Sequence, residues 1–249
     1  MEHQDLSNPP IIEALVDVRV RPRAGLLVAE LEAAGTAVGD KFPVLERQHA
    51  MEFRLDLPLG RQPQSSSSEL GVQGIRVHTV DRSRLIQFRR DGFTLNWLKP
   101  YAGWTALKAL ALEGWNSYLK FVAPEEIARV GVRYINRTSV PSHCATTQWL
   151  FRNPANLLDG LGPTPESIYQ RYSMAASPDD DKRALVQFSL EPNPEGGGSL
   201  FTLDLDVFHA DGLSSTDERA LSDALESLRP FKNDLFFGIL SDDFLEPFK

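Results

Sequence analysis

Three arginines, Arg129, Arg133 and Arg137, recur at regular intervals in the stretch Ile127 to Arg137, IARVGVRYINR. Strict alternation places them on one face of a strand and Val130, Val132 and Tyr134 on the other. Guanidinium groups offer planar, bidentate contacts to carboxylate and phosphate, so the first chemistry suggested is the holding of an anion. Asp204-Leu205-Asp206 puts two carboxylates on one strand face, about 7 Å apart from the rise per residue. Oxygen donors of this kind suit a hard cation, which makes Asp204 and Asp206 weak metal candidates that neighbouring arginines contest. The five histidines show no metal-binding spacing. His143 and Cys144 are adjacent, but consecutive side chains diverge and no third orienting group is evident. Gly196-Gly197-Gly198 precedes a strand rather than a helix and so lacks a phosphate cradle. No catalytic residue and no cofactor is assigned.

The elements that carry these residues follow from periodicity. Residues 11–20, IIEALVDVRV, alternate as a strand, with Ile12, Ala14, Val16, Val18 and Val20 inward and Glu13, Leu15, Asp17 and Arg19 outward. A helix is expected over Ala24 to Phe42, then strands near 50–57, 73–80, 84–90 and 93–98, then a helix over Gly103 to Val122. Asp91-Gly92 suits a type I′ turn. Closing the hairpin there pairs Phe88 with Leu95 and Ile86 with Trp97, leaving Gln87, Arg89, Thr94 and Asn96 on the opposite face. The second half repeats the plan with strands at 127–138, 167–175, 183–191 and 200–208, a short helix near 145–152 and a helix from Asp217 to about Pro230. Phe231 to Phe237 is expected to fold back as a further helical piece. Arg61 to Ser68 and Glu195 to Ser199 read as long hairpin loops. Trp104, Trp115 and Tyr118 read as the buried stripe of the second helix.

Leu85-Ile86-Gln87-Phe88 recurs as Leu185-Val186-Gln187-Phe188, and Phe93-Thr94-Leu95-Asn96 as Phe201-Thr202-Leu203-Asp204. The order implies a duplicated unit of roughly 100 to 120 residues. The expected fold class is α+β: duplicated strand-helix-(three or four strands)-helix units forming one curved antiparallel sheet with helices on one face. Residues 1–124 form the first pseudo-repeat and 125–249 the second, within one continuous globular unit.

This topology resembles the fold of the TATA-box-binding protein, in which two such units join into one saddle. Separately, Asn8 to Arg19 (NPPIIEALVDVR), Asp91-Gly92-Phe93-Thr94-Leu95-Asn96 with Leu98-Lys99-Pro100-Tyr101, Arg129 to Arg137 (RVGVRYINR), and Leu228-Arg229 with Lys232-Asn233 resemble a family of sporadically distributed, uncharacterised prokaryotic proteins of about this length. Trp97 stands where that family has an arginine. The family resemblance implies no activity. The saddle topology would set the two first strands side by side at a pseudo-dyad, bringing Glu13 and Asp17 near Arg129 and Arg133, with Asp204 and Asp206 beyond.

The outward faces then form a concave surface bearing the candidate ligand-binding residues Arg129, Arg133, Arg137, Arg89, Gln87, Asn96, Glu13 and Asp17. A ladder of opposite charges and an anion-binding groove are both compatible with this set. Net charge decides against one partner class. The chain of 249 residues carries 26 basic and 34 acidic residues, a net of −8, of which +1 falls in residues 1–124 and −9 in 125–249. A surface that tracks phosphates is therefore not expected, and nucleic acid is unlikely as a partner. No apolar run reaches the roughly 18 residues of a membrane span, so a cytoplasmic protein without a membrane partner is expected. The single Cys144 leaves the core to hold the fold. The reading is a non-catalytic binding or interaction protein for an anionic small molecule or protein. An enzyme acting on a phosphorylated or nucleotide-like ligand is the alternative, and a nucleic-acid-binding protein the lesser one. The apolar segment with Phe236, Phe237 and Phe244 suggests a homodimer.

Overall fold

The computed structural model describes residues 6–56, 64–153 and 166–249, with the backbone alone at 51–56 and 64–66. One curved antiparallel sheet of nine strands runs through the molecule. The strands are β1 Ile11–Arg21, β2 Val44–Asp56, β3 Gln64–His78, β4 Arg84–Arg89, β5 Gly92–Leu98, β6 Glu126–Val140, β7 Ile168–Ala175, β8 Lys182–Pro192 and β9 Ser199–His209. Their spatial order, β2-β3-β4-β5-β1-β6-β9-β8-β7, sets β1 beside β6, with four strands beyond β1 and three described strands beyond β6. Three helices, α1 Val28–Ala37, α2 Trp104–Val122 and α4 Glu218–Ile239, pack on one side of it. The short helices α3 Thr147–Leu150 and α5 Asp242–Leu245 close the end near the C-terminus. The architecture is therefore α+β, with strands in sequence order strand, helix, four strands, helix in the first half and strand, short helix, three described strands, helix in the second.

Period-two alternation sets the two sheet faces. Ala14, Val16 and Val18 of β1, Val130 and Val132 of β6, and Leu203, Leu205 and Val207 of β9 are fully buried beneath the helices. Leu107, Ala111, Trp115, Tyr118 and Val122 form the buried stripe of α2, spaced as one helical face. Trp115 stacks on Tyr118 and meets Phe93 edge-on, with ring centroids 5.4 and 6.1 Å apart. Gly114 makes room for this cluster, since a Cβ there would lie 2.8 Å from the Phe93 ring.

Several boundaries differ from the sequence expectation for identifiable reasons. The β4–β5 loop is Arg90-Asp91, and Phe88 pairs with Phe93, Ile86 with Leu95 and Arg84 with Trp97. This is a two-residue displacement from the expected register, which leaves every side chain on its expected face because the side-chain period is two. Gly92 is required by close approach rather than by turn geometry: a Cβ would sit 2.3 Å from the Val18 carbonyl oxygen. The repeated quartets are also offset, since Ile86 faces Leu95 whereas Val186 faces Leu205. Gln64 to Ser68, expected in a loop, belongs to β3, while the expected loop at Glu195 does connect β8 and β9. α4 runs through Pro230 instead of ending there. Proline removes one helix hydrogen bond, to the carbonyl of Glu226 on the exposed side, while Leu225, Leu228 and Phe236 remain buried on the core side. Trp97 is buried on the helix side of β5, with the Arg84 guanidinium 5.2 Å from its ring centroid.

The C-terminal aromatics are spoken for within the chain. Phe244 is 1% exposed and meets Phe201, Trp149 and Phe248 at centroid distances of 5.2, 5.6 and 5.5 Å. Phe236 is buried and Phe237 half-buried. Phe244 is thus packed within the chain, while Phe236 and Phe237 line a cavity between α2 and α4.

Candidate functional site

The concave face carries the predicted residues, and it joins them mostly to one another. Asp17 on β1 accepts from Thr94 Oγ1 at 2.7 Å and Arg89 Nη2 at 3.2 Å on one oxygen, and from Arg19 Nε at 3.0 Å and Arg129 Nη1 at 3.3 Å on the other. Arg129 continues the chain, donating to both oxygens of Asp206 at 2.7 and 2.8 Å. Its guanidinium lies over Gly131, where a Cβ would come within 2.8 Å of it, and 4.1 Å from the Phe208 ring centroid. Further along, Arg133 pairs with Asp204 through two hydrogen bonds, Gln187 Nε2 donates to Asp204 at 3.4 Å, and Tyr169 donates to Gln187 at 2.7 Å. Two hydrogen-bonded polar groups therefore lie across the sheet, one running from β4 to β9 and the other from β6 to β7.

The two first strands meet as expected, β1 pairing with β6 along its length, and the Glu13 charge is felt at Arg133. Asp17 reaches Arg129, but Glu13 accepts from Asn96 Nδ2 at 2.7 Å, and Gln87 donates to Asn96 at 3.0 Å. Arg137 is exposed and donates to Thr202 Oγ1 at 3.1 Å. Asp204 and Asp206 serve different arginines, and the described residues contain no group of three or more acidic, His or Cys side chains placed to hold a metal.

Electrostatics separates the two central carboxylates. Burial raises the Asp17 carboxyl, but the Thr94 hydroxyl and the charges of Arg19 and Arg89 outweigh it, so its pKa is lowered from the ordinary value. At Asp206 burial wins over Arg129 and Arg133, Asp17 adds like-charge repulsion, and the pKa is raised. The face behaves as a charge ladder whose arginines are largely neutralised.

A different place has the form of a ligand site. A cavity of about 490 Å³ opens on the helix side of the sheet, between the first turn of α2, the second half of α4 and the starts of the chain and of β1. Tyr134 and Asn136 of β6 form its floor, and Tyr101, Ala102, Gly103, Trp104 and Thr105 one wall. Arg229, Lys232, Asn233, Phe236 and Phe237 of α4 form the other, with Leu6, Ser7, Pro9 and Ile11 at the rim. The N-terminal segment is held there by Asn8 N–H, which donates to the Phe248 carbonyl at 3.2 Å.

The cavity's chemistry is cationic and aromatic. The Tyr101 and Tyr134 hydroxyls are paired at 2.9 Å. Burial pushes the Tyr101 phenol up to about 12 and holds Tyr134 well above its ordinary value, so both remain neutral. The Lys232 ammonium lies 4.3 Å from the Tyr134 ring centroid, and the Arg229 guanidinium 5.9 Å from that of Trp104. Among the described lining residues there is no carboxylate. Glu226, one turn before Arg229, is turned to Lys108 and to Trp104 Nε1, at 2.6 and 3.2 Å.

Trp104, expected in the core with Trp115 and Tyr118, is instead a half-buried wall of this cavity. Four segments that carried the family resemblance converge here: Pro9, Tyr101, Tyr134 with Asn136, and Arg229 with Lys232 and Asn233. The i, i+3, i+4 spacing of those last three was a legible sign of one helix face, but nothing local said what that face would meet.

A second arrangement went unseen in the sequence. His209 at the end of β9 has Nδ1 2.9 Å from both Asp181 oxygens and Nε2 2.7 Å from Ser227 Oγ. The contacts are those of a Ser-His-Asp triad, yet the setting is that of a clamp. Ser227 sits inside α4, where backbone amides are committed to helix hydrogen bonds and cannot form an oxyanion hole, and its hydroxyl lies 2.8 Å from the Ala224 carbonyl. A fluorophosphonate serine probe is expected to leave Ser227 unlabelled by intact-protein mass, and Ser227→Ala to lower stability by about 1 kcal/mol. Stoichiometric labelling at Ser227 would make it a nucleophile instead. His143 and Cys144 lie in a short 3-10 turn, His143 exposed and Cys144 packed on the core.

Among the described residues no helix is long and apolar enough to cross a membrane. No family model matches the chain, and no curated protein matches it. Among solved structures, the chain is 10% identical to the di-domain ARO/CYC StfQ from the steffimycin biosynthetic pathway. That alignment covers 89% of this chain and 94% of the other at a TM-score of 0.16, too low to support an argument about fold or function.

Proposed function

We propose that this protein binds a small organic anion, and that the cavity between α2 and α4, rather than the concave sheet face, is where it does so. The observation that carries the reading is the contrast in charge. On a chain of net −8, the cavity presents Arg229 and Lys232 with no carboxylate among its described lining residues, and Arg229 forms no ion pair among the described residues. The arginines at the centre of the concave face already hold aspartates. An anion entering the cavity meets Arg229, which forms no ion pair among the described residues, whereas on the concave face it must compete with Asp17, Asp204 and Asp206.

The same contrast weighs against a nucleic-acid saddle, since carboxylates stand in the middle of the surface that would have to meet phosphates. Aromatic walls and a volume in the ordinary range for small-molecule sites, about 300 to 1,000 Å³, favour a compact ligand over a polymer.

The reading is tested by thermal shift in low salt with benzoate, phenylacetate and phenyl phosphate. At least one is expected to raise the melting temperature. The rise is expected to vanish in Arg229→Gln/Lys232→Gln and to persist in Arg137→Gln. A response abolished by Arg137→Gln and kept by the α4 pair would return the site to the concave face.

A further inference from the structure

The floor of the cavity carries a polar group that the chain itself leaves half used. Asn136 is 4% exposed and lies on the helix-facing side of β6, two residues from Tyr134. Its Nδ2 donates to the Leu203 carbonyl on β9 at 3.2 Å. A carbonyl oxygen can only accept, so this contact fixes the orientation of the amide and turns Oδ1 away from it. Oδ1 has no hydrogen-bond partner among the described residues. Among those residues no fully enclosed side-chain oxygen or nitrogen lacks a partner, so Oδ1 opens onto the cavity that Asn136 lines.

The opposite capacity stands beside it. The Tyr101 and Tyr134 hydroxyls share one hydrogen bond, which uses one of their two hydrogens and leaves the other to donate. Both phenols stay neutral, because burial disfavours the charged form. The floor therefore presents an acceptor and a donor at neighbouring inward positions of β6, about 7 Å apart along the strand. A ring resting there between Trp104 and Phe237 displaces the water that would otherwise satisfy Asn136. Without a donor of its own it strands a buried acceptor, which is unfavourable. A ring hydroxyl replaces that water, giving its hydrogen to Oδ1 and accepting from a phenol. An ammonium would also donate, but it would bring positive charge into a cavity that has no carboxylate among its described lining residues.

We infer that the ligand is a hydroxylated aromatic acid, and that Asn136 selects it by accepting a hydrogen bond from the ring hydroxyl. This deepens the reading of the cavity as an organic-anion site and rests on it: Arg229 meets the carboxylate, and Asn136 meets the hydroxyl.

Isothermal titration of the full chain with benzoate, 3-hydroxybenzoate, 4-hydroxybenzoate and the two corresponding methoxybenzoates tests it. The methoxy compounds keep the ring oxygen and remove its hydrogen. At least one hydroxybenzoate is expected to bind about tenfold or more tightly than benzoate and than its own methoxy counterpart. Asn136→Ala is expected to bring that hydroxybenzoate to within about twofold of benzoate, while benzoate itself binds at least as well as to the wild type. Equal weakening of both would make Asn136 a scaffold residue and overturn its role in selection. Should Asn136→Ala fail to fold, the wild-type comparison decides: preference for hydroxyl over methoxy supports the contact, and parity overturns it. If all five bind alike and Arg229→Gln weakens each, the hydroxyl is lost from the ligand while the organic-anion site stands. No binding by any of the five sinks both.

Discussion

Arg129→Ala is expected to be among the most damaging polar substitutions in this chain, lowering unfolding free energy by about 2 kcal/mol or more. Its side chain is 23% exposed and holds Asp17 and Asp206, themselves 13% and 23% exposed, on adjacent strands either side of β6. Removing one member of a fully buried ion pair costs about 3–5 kcal/mol, and partial access of water reduces that figure here. The loss is unequal between the partners. Asp17 retains Arg89, Arg19 and Thr94, whereas Asp206 loses both hydrogen bonds that Arg129 supplies.

The pH dependence follows from the two directions of shift. Asp17, with a lowered folded pKa, contributes stability above the ordinary aspartate range that is lost as pH falls through its folded value. Asp206, with a raised folded pKa, does the opposite: its contribution is fully present below the ordinary range and declines as pH rises through the folded value. Without Arg129, Asp206 should shift further up, so the defect of Arg129→Ala is expected to shrink on acidification, and Asp206→Asn is expected to recover part of it. Urea titrations of the two single variants and the double variant, at neutral and mildly acidic pH, measure this. A cost below about 0.5 kcal/mol, the range of ordinary surface substitutions, would show that the ladder contributes nothing.

The same ladder shows how far residue patterns reach. Alternation alone assigns Asp17, Gln87, Arg89, Thr94, Asn96, Arg129, Arg133, Asp204 and Asp206 to one face, because a strand has only two. It does not choose partners. Glu13 goes to Asn96 and Arg133 to Asp204 by the oblique reach of their side chains, each partner lying two residues along from the position directly opposite, Leu98 and Asp206, a choice periodicity does not encode. Gly92 shows the converse. Its residue type signals a special backbone position, but the cause is the neighbouring Val18 carbonyl, a contact from a strand far away in sequence. The cavity is the extreme case. Its walls come from the chain start, the β5–α2 connection, β6 and α4, and their meeting depends on how α2 packs beside α4. Trp104 shares the helical spacing of Trp115 and Tyr118, yet it lies in the first turn, where the stripe runs past the end of the core.

Trp115 is one anchor of that packing, beside the direct α2–α4 bonds of Lys108 and Trp104 to Glu226, and Trp115→Ala is expected to cost about 3–5 kcal/mol, the range for removing a large buried aromatic. Trp115 is fully buried, stacks on Tyr118, meets Phe93, and donates from Nε1 to the Thr216 carbonyl at 3.0 Å, just before α4 begins. It therefore ties the body of α2 both to the sheet and to the lead-in of α4. Two parts of this role can be separated. Trp115→Phe keeps most of the ring contact but strands the half-buried Thr216 carbonyl, and is expected to cost about 1–2 kcal/mol. Because α2 and α4 are the two walls of the cavity, loosening this anchor should also lower affinity for whichever anion the wild type binds, even though Trp115 touches none of the lining groups' charges. Urea unfolding and titration of the Phe variant test both expectations together. A Phe variant of wild-type stability but weakened binding would place the indole hydrogen bond in alignment of the walls rather than in support of the core, and wild-type values of both would remove Trp115 Nε1 from the account.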